Sequence, residues 1–195
     1  AASDVYKRQV EIVVATAFAL FSGSFDEFAL RFPFALASAL AVLVAFALAR
    51  RVTGEVVAFL AGALLTLEGF FLGFSRMVQY QGMVALMLTL SLYCFYRLWE
   101  SEDGRLASRY QFLGVIFLTF GLLTHYESIL IAVPILFLCW RKGYDFFRKR
   151  KGVLLISLAV AAFILCAYYL PFILSPYFAE IFSEYSGHRV SLHCA

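Results

Sequence analysis

The chain has 195 residues, of which 63% are hydrophobic and 15% charged, and a formal net charge of +3. Soluble domains average about 45–50% apolar and about 25% charged residues, whereas here the apolar residues come in long runs, with no charge at all from Gly152 to Ala179. This excludes a cytosolic enzyme, a disulfide-rich secreted module and a disordered chain, and implies an all-α, polytopic membrane protein.

Ala1–Gln9 is polar, lacks an initiator Met and reads as a non-native leader. Val10–Phe21 is apolar but would be only about 18 Å long as a helix, too short for about 30 Å of hydrocarbon. It is expected to lie at the outer interface ahead of the first span. The alternative is a signal-peptide core behind Lys7 and Arg8. Clear spans follow at Pro33–Ala49, Val56–Phe74 and Tyr80–Trp99, with another at Val153–Leu174. Between Tyr110 and Trp140 the only formal charge is Glu127, and a single helix there would be about 46 Å long. Two shorter helices, Leu106–Leu123 and Glu127–Trp140, would turn at Thr124-His125-Tyr126. The reading is therefore about six crossings over residues 10–174. Residues 175–195 are expected to be the outer-side start of a truncated C-terminal region.

Basic residues choose between one helix and two. With two, Arg50, Arg51, Arg97, Arg105, Arg109, Arg141, Lys142, Arg148, Lys149, Arg150 and Lys151 share one face, 11 of the 16 Lys/Arg. The positive-inside rule makes that face cytoplasmic, and Trp99 and Trp140 sit at its boundary. The other face carries Asp26, Glu27, Glu127, Glu180 and Glu184 against Arg31, Arg76 and Arg189.

A charge within the bilayer costs about 2.5–3.5 kcal/mol on insertion scales, so polar residues there need a reason. Glu68 lies late in the second span, with Ser75, Arg76, Tyr80 and Gln81 just beyond it. Glu68 and Arg76 could form an ion pair that pins the turn. Alternatively Arg76 could hold a phosphate through forked hydrogen bonds, assisted by Tyr80 and Gln81. In the other outer turn, His125 and Glu127 flank Tyr126 and could ligate a divalent cation or act as acid and base. The bland alternative is a solvated turn anchored by Tyr126. Asp26-Glu27 followed by Arg31 suits a helix N-terminus, and His188 and His193 are weak metal candidates. The cluster from Arg141 to Lys151 is explained by topology and lipid headgroups rather than nucleic acid. Cys94, Cys139 and Cys166 fall in apolar segments and Cys194 at the end, with no CxxC pattern. No phosphate-binding glycine loop, HExxH or GxSxG occurs, which leaves an ATP-driven pump unsupported.

Three elements carry a family resemblance. Ser24-Phe25-Asp26-Glu27-Phe28-Ala29-Leu30-Arg31-Phe32-Pro33, with the Ala/Leu-rich span closing on Arg50-Arg51, resembles the region after the first outer loop of GT-C glycosyltransferases. Glu68 with Ser75-Arg76 is similar to the acid-x6-Ser-Arg element of that superfamily. Leu122-Leu123-Thr124-His125-Tyr126-Glu127-Ser128, followed by Pro134, is similar to its L-T-H-Y-E turn. The likeness extends to lipid A aminoarabinose transferases, lipopolysaccharide-core transferases and protein O-mannosyltransferases, and covers about Val10 to Leu174.

The resemblance implies a bacterial inner-membrane enzyme that takes a sugar from a polyprenyl-phosphate donor at the outer face, with inversion. It gives Arg76 the phosphate, with Tyr80 and Gln81 assisting and Glu68, Ser75 and Arg31 in support. His125, Glu127 and Tyr126 become cavity or metal groups, with a divalent metal as the one cofactor to consider. Its catalytic acid lies on a loop before the stretch matching Val10–Phe21, so the chain is expected to be a fragment, inactive by itself. Its partners are expected to be the lipid-linked donor and membrane lipids, not nucleic acid. A permease using the same outer polar residues, or a scaffold subunit packing its Phe-rich helices against a partner, are the alternatives.

Overall fold

Helix α1 (Gln9–Ser22) opens the computed structural model, which describes residues 9–174. The expected leader up to Arg8, and the tail with Glu180, Glu184, His188, Arg189, His193 and Cys194, lie outside the described residues. Helix α1 has 14 residues, about 21 Å of rise, and stops at Gly23, whose φ of +71° suits a residue without Cβ.

Asp26 then starts the first long helix. Its carboxylate accepts the N–H of Ala29 at 2.7 Å and caps α2 (Glu27–Thr53), while Glu27 pairs with Arg31 one turn on. These contacts explain why α2 begins six residues before Pro33, where the apolar run starts. Gly54, at φ +91°, ends α2 and turns the chain into α3 (Glu55–Leu67). The span expected over Val56–Phe74 is not one helix. Glu68 takes an extended backbone and its carboxylate accepts the N–H of Phe71, so a second short helix, α4 (Gly69–Ser75), starts there.

Helix α5 (Tyr80–Glu100) and helix α6 (Gly104–Thr124) follow the expected spans closely. Asp103 caps α6 by accepting the N–H of Arg105 at 2.9 Å. His125 is extended, as the turn at 124–126 requires, and leads into a 3-10 turn over Tyr126–Ile131. The α-helix resumes only at α7 (Ala132–Lys142), with Pro134 in its first turn, where a missing N–H does no harm. Helix α8 (Tyr144–Lys149) and helix α9 (Lys151–Ile173) complete the described chain. Of these, α2, α5, α6 and α9 are each long and apolar enough to cross a membrane. The other two expected crossings are interrupted: one at Glu68, the other by the 3-10 turn. The fold is all-α and polytopic.

Helix α5 packs against α2 on one side and α6 and α7 on the other. Lipid tails are as apolar as leucine, so helices associate here through close packing and hydrogen bonds rather than by escaping water. Small residues provide the approach. Gly82 of α5 sits against Ser38 and the Phe34 carbonyl of α2, beside a core of Ala37, Ala41 and Leu86. Gly114 of α6 lies under the Phe95 ring of α5, and Ser91 donates to the Gly114 carbonyl at 2.9 Å. Leu64 and Phe163, 71% and 73% exposed, show the opposite pattern and face outward to lipid.

At one end of the bundle the basic termini are tied together. Arg51 of α2 meets Glu100 at 3.0 Å, Arg97 meets the same carboxylate at 3.5 Å, and Lys142 of α7 donates to the carbonyls of Trp99 and Ser101 at 2.9 and 2.7 Å. The one-sided distribution of basic residues expected from the sequence is thus a spatial fact for α2, α5 and α7.

A Cβ at Gly114 would approach the Phe95 ring to 2.8 Å, and one at Gly82 would approach the Phe34 carbonyl to 3.0 Å; at Gly73 it would meet nothing within 4 Å. Gly82→Ala and Gly114→Ala are therefore expected to destabilise the detergent-purified protein by about 1–3 kcal/mol. Gly73→Ala should leave the unfolding temperature near that of the parent. Equal melting of all three would contradict this packing.

Candidate functional site

Away from the basic termini, the start of α2 and the end of α4 enclose an open groove of about 420 Å³. It is lined by Glu27, Phe28, Arg31, Phe32, Ala35, Ser75 and Arg76. Helical spacing puts Phe28, Arg31, Phe32 and Ala35 on neighbouring positions of one face of α2. Phe32 stacks on Phe18 of α1 at 5.3 Å and tilts against Phe28 at 5.4 Å, which gives the groove an aromatic wall. Two guanidiniums interrupt that wall. Arg31 is held by Glu27, whereas Arg76 is exposed and forms no salt bridge among the described residues. Ser75 donates its hydroxyl hydrogen to the Leu72 carbonyl at 2.7 Å, which leaves its oxygen able to accept.

Three residues singled out from sequence, Arg31, Ser75 and Arg76, thus line one groove. Glu68 is placed differently. The salt bridges of the described residues do not include a Glu68–Arg76 pair, because the carboxylate turns back to the Phe71 N–H at the start of α4.

A second group gathers where α5 begins and α6 ends. The rings of Tyr80 and His125 are parallel to within 3° and 4.1 Å apart, so residues 45 positions apart in the chain are in contact. Tyr126 lies against the same imidazole at 4.4 Å. His125 Nδ1 accepts the Glu127 N–H at 3.3 Å and lies 3.5 Å from the Glu127 carboxylate, a contact that becomes an ion pair only when the ring is protonated. Ser128 is fully buried and donates to the Gly121 carbonyl at 2.8 Å, which fastens the turn to α6. His125 is only 15% exposed at its side chain, whereas Tyr126 and Glu127 face outward.

Gln81 carries a buried amide oxygen with no hydrogen-bond partner, and so does Gln79, which sequence reasoning passed over. Burying such an acceptor unpaired is costly, so these atoms are prepared for a donor. The signal was available in principle: two glutamines flank Tyr80 at the mouth of an apolar helix. A divalent cation needs more ligands than this turn supplies. Among the described residues no three His, Cys, Asp or Glu side chains are grouped to hold a metal, so His125 and Glu127 stand as a pair.

The sequence model of the dolichyl-phosphate-mannose-protein mannosyltransferase family matches residues 10–169. Curated proteins and solved structures yield no match. The chain belongs to the dolichyl-phosphate-mannose-protein mannosyltransferase family, which bears out the GT-C resemblance and a glycosyltransferase type of function at the membrane.

The Tyr80–His125 stack is expected to carry about 1 kcal/mol of coupling. A double-mutant cycle of Tyr80→Ala and His125→Ala, read by thermal unfolding in detergent, measures it. Strictly additive effects would show that the rings are neighbours without interacting.

Proposed function

We propose that this membrane glycosyltransferase takes its sugar from a polyprenyl-phosphate donor at the outer face of the membrane, with Arg76 holding the donor phosphate. The observation that carries the reading is the groove itself. Phe28, Phe32 and Ala35 provide apolar wall beside the guanidiniums of Arg31 and Arg76. That juxtaposition suits a phosphate attached to an isoprenoid, because the chain can remain in lipid while the headgroup meets positive charge.

The chemistry asks for such a group. As the bond between the sugar and the phosphate breaks, negative charge grows on the leaving phosphate, and a preorganised cation lowers the barrier. Arg76 presents a planar fork of N–H donors that fits two phosphate oxygens at once. Arg31, steadied by Glu27, adds a second positive charge along the same wall. Ser75 lines the same groove, Tyr80 and Gln81 follow Arg76 at the start of α5, and His125 stacks on Tyr80. No groove residue is assigned the role of catalytic base. The orientation follows from the opposite end: the positive-inside rule puts the gathered basic termini in the cytoplasm, which turns the groove outward in a bacterial inner membrane.

The helix break at Glu68 favours a second reading, since permeases build binding sites at discontinuous helices. Function separates the two. With the protein expressed from its complete gene, Arg76→Ala is expected to bind undecaprenyl phosphate at least about tenfold more weakly and to lose sugar transfer, with unfolding temperature unchanged. Arg76→Lys should recover only part of the binding, since charge is kept but the fork is lost. Undiminished binding and transfer in Arg76→Ala would sink the assignment, and loss of substrate flux without any transfer chemistry would favour the permease.

A further inference from the structure

The corner where α7, α8 and α9 meet is the most cationic part of the chain. Arg141, Lys142, Arg148, Lys149, Arg150 and Lys151 fall within it, against Asp145 as the one acid of that stretch. Two of these cations are committed to the fold. Lys142 caps the end of α5 through the Trp99 and Ser101 carbonyls and lies 5.0 Å from the Phe146 ring centre. Arg150 stacks on the same ring, 4.1 Å from its centre, and its guanidinium packs against Gly104 at the start of α6. Together they fasten the corner to the loop between α5 and α6.

The remaining four, Arg141, Arg148, Lys149 and Lys151, are exposed and form no salt bridge among the described residues. On the same face, Arg50, Arg51 and Arg97 all have carboxylate partners. Trp140 and Tyr144, 76% and 79% exposed, bracket Arg141 and precede the other three in the chain. Amphipathic rings of this kind settle at the headgroup level of a bilayer, which puts the four charges within a Debye length of lipid phosphates.

We propose that this corner is a binding site for anionic phospholipid headgroups of the adjoining leaflet. Clusters of four or more Lys/Arg beside a membrane helix attract acidic lipids, with each charge contributing separately. Setting topology requires only the count of basic residues. Here two of them are committed to holding the corner against α5 and α6, and the other four are exposed without a salt bridge among the described residues, in the same stretch as two exposed aromatic rings. The site is independent of the sugar-transfer reading.

Native mass spectrometry of the detergent-purified chain, titrated with phosphatidylglycerol or with phosphatidylcholine, tests it. The unsubstituted protein should retain phosphatidylglycerol preferentially. Arg148→Gln with Lys149→Gln should weaken that retention roughly tenfold or more and leave phosphatidylcholine unaffected. Equal retention of phosphatidylglycerol by the variant would overturn the proposal, as would its complete displacement by millimolar inorganic phosphate, which would point to a site for free phosphate. If the variant cannot be purified, salt decides: retention by the unsubstituted chain must fall steeply towards about 0.5 M NaCl. Retention insensitive to salt would overturn the proposal equally.

Discussion

In hydrocarbon a backbone N–H or C=O must find its partner within the protein, and apolar side chains gain little by leaving lipid for one another. The architecture follows from these two conditions. Helix α5 can serve as the centre because Gly82 and Gly114 let α2 and α6 come close, and Ser91 uses its hydroxyl on a neighbouring helix's carbonyl. Large side chains such as Leu64 and Phe163 are left to face lipid. That close approach, together with the packing of α4 on α2, α3 and α5, holds the first turns of α2 and the end of α4 at a common groove.

The same conditions govern where the chain can depart from helix. Several departures are answered by a side chain. Asp26 caps α2, Glu68 caps α4, and His125 and Ser128 satisfy groups in the turn after α6. Four polar residues in or beside apolar segments thus have structural duties. Arg76 does not: it is a guanidinium in an aromatic groove with no described salt bridge. That difference is why it, rather than Glu68, carries the functional reading in a member of a glycosyltransferase family.

Much of this was legible from hydropathy and charge. The turn at Thr124–Tyr126 was placed because a single helix would have put six basic residues on the wrong side, and His125 is extended there. The break at Glu68 was not, since Leu67, Gly69, Phe70 and Phe71 keep the local hydropathy high and a capping carboxylate looks like any buried charge. The start of α2 was legible at Asp26-Glu27 as a helix N-terminus, although the apolar run begins only at Pro33, because Asp26, Glu27 and Arg31 stabilise the first turns. Arg31, Ser75 and Arg76 were singled out as phosphate-binding or supporting residues, and they line one groove. Phe28 and Phe32 were not, because a phenylalanine lining a groove and one facing lipid read alike in sequence. The Tyr80–His125 stack joins distant segments, so no local pattern announces it.

The central claim is that the groove and the basic termini lie on opposite sides of the membrane, with the groove outward. Labelling of single cysteines in intact cells by a membrane-impermeant maleimide tests this most directly. Met77 follows α4 beside the groove and Glu102 lies between α5 and α6 at the basic end, and both are exposed. Relative to the unsubstituted chain, Met77→Cys should be labelled without permeabilisation and Glu102→Cys only after it. Labelling of both from the same side, or the reverse order, would contradict the account.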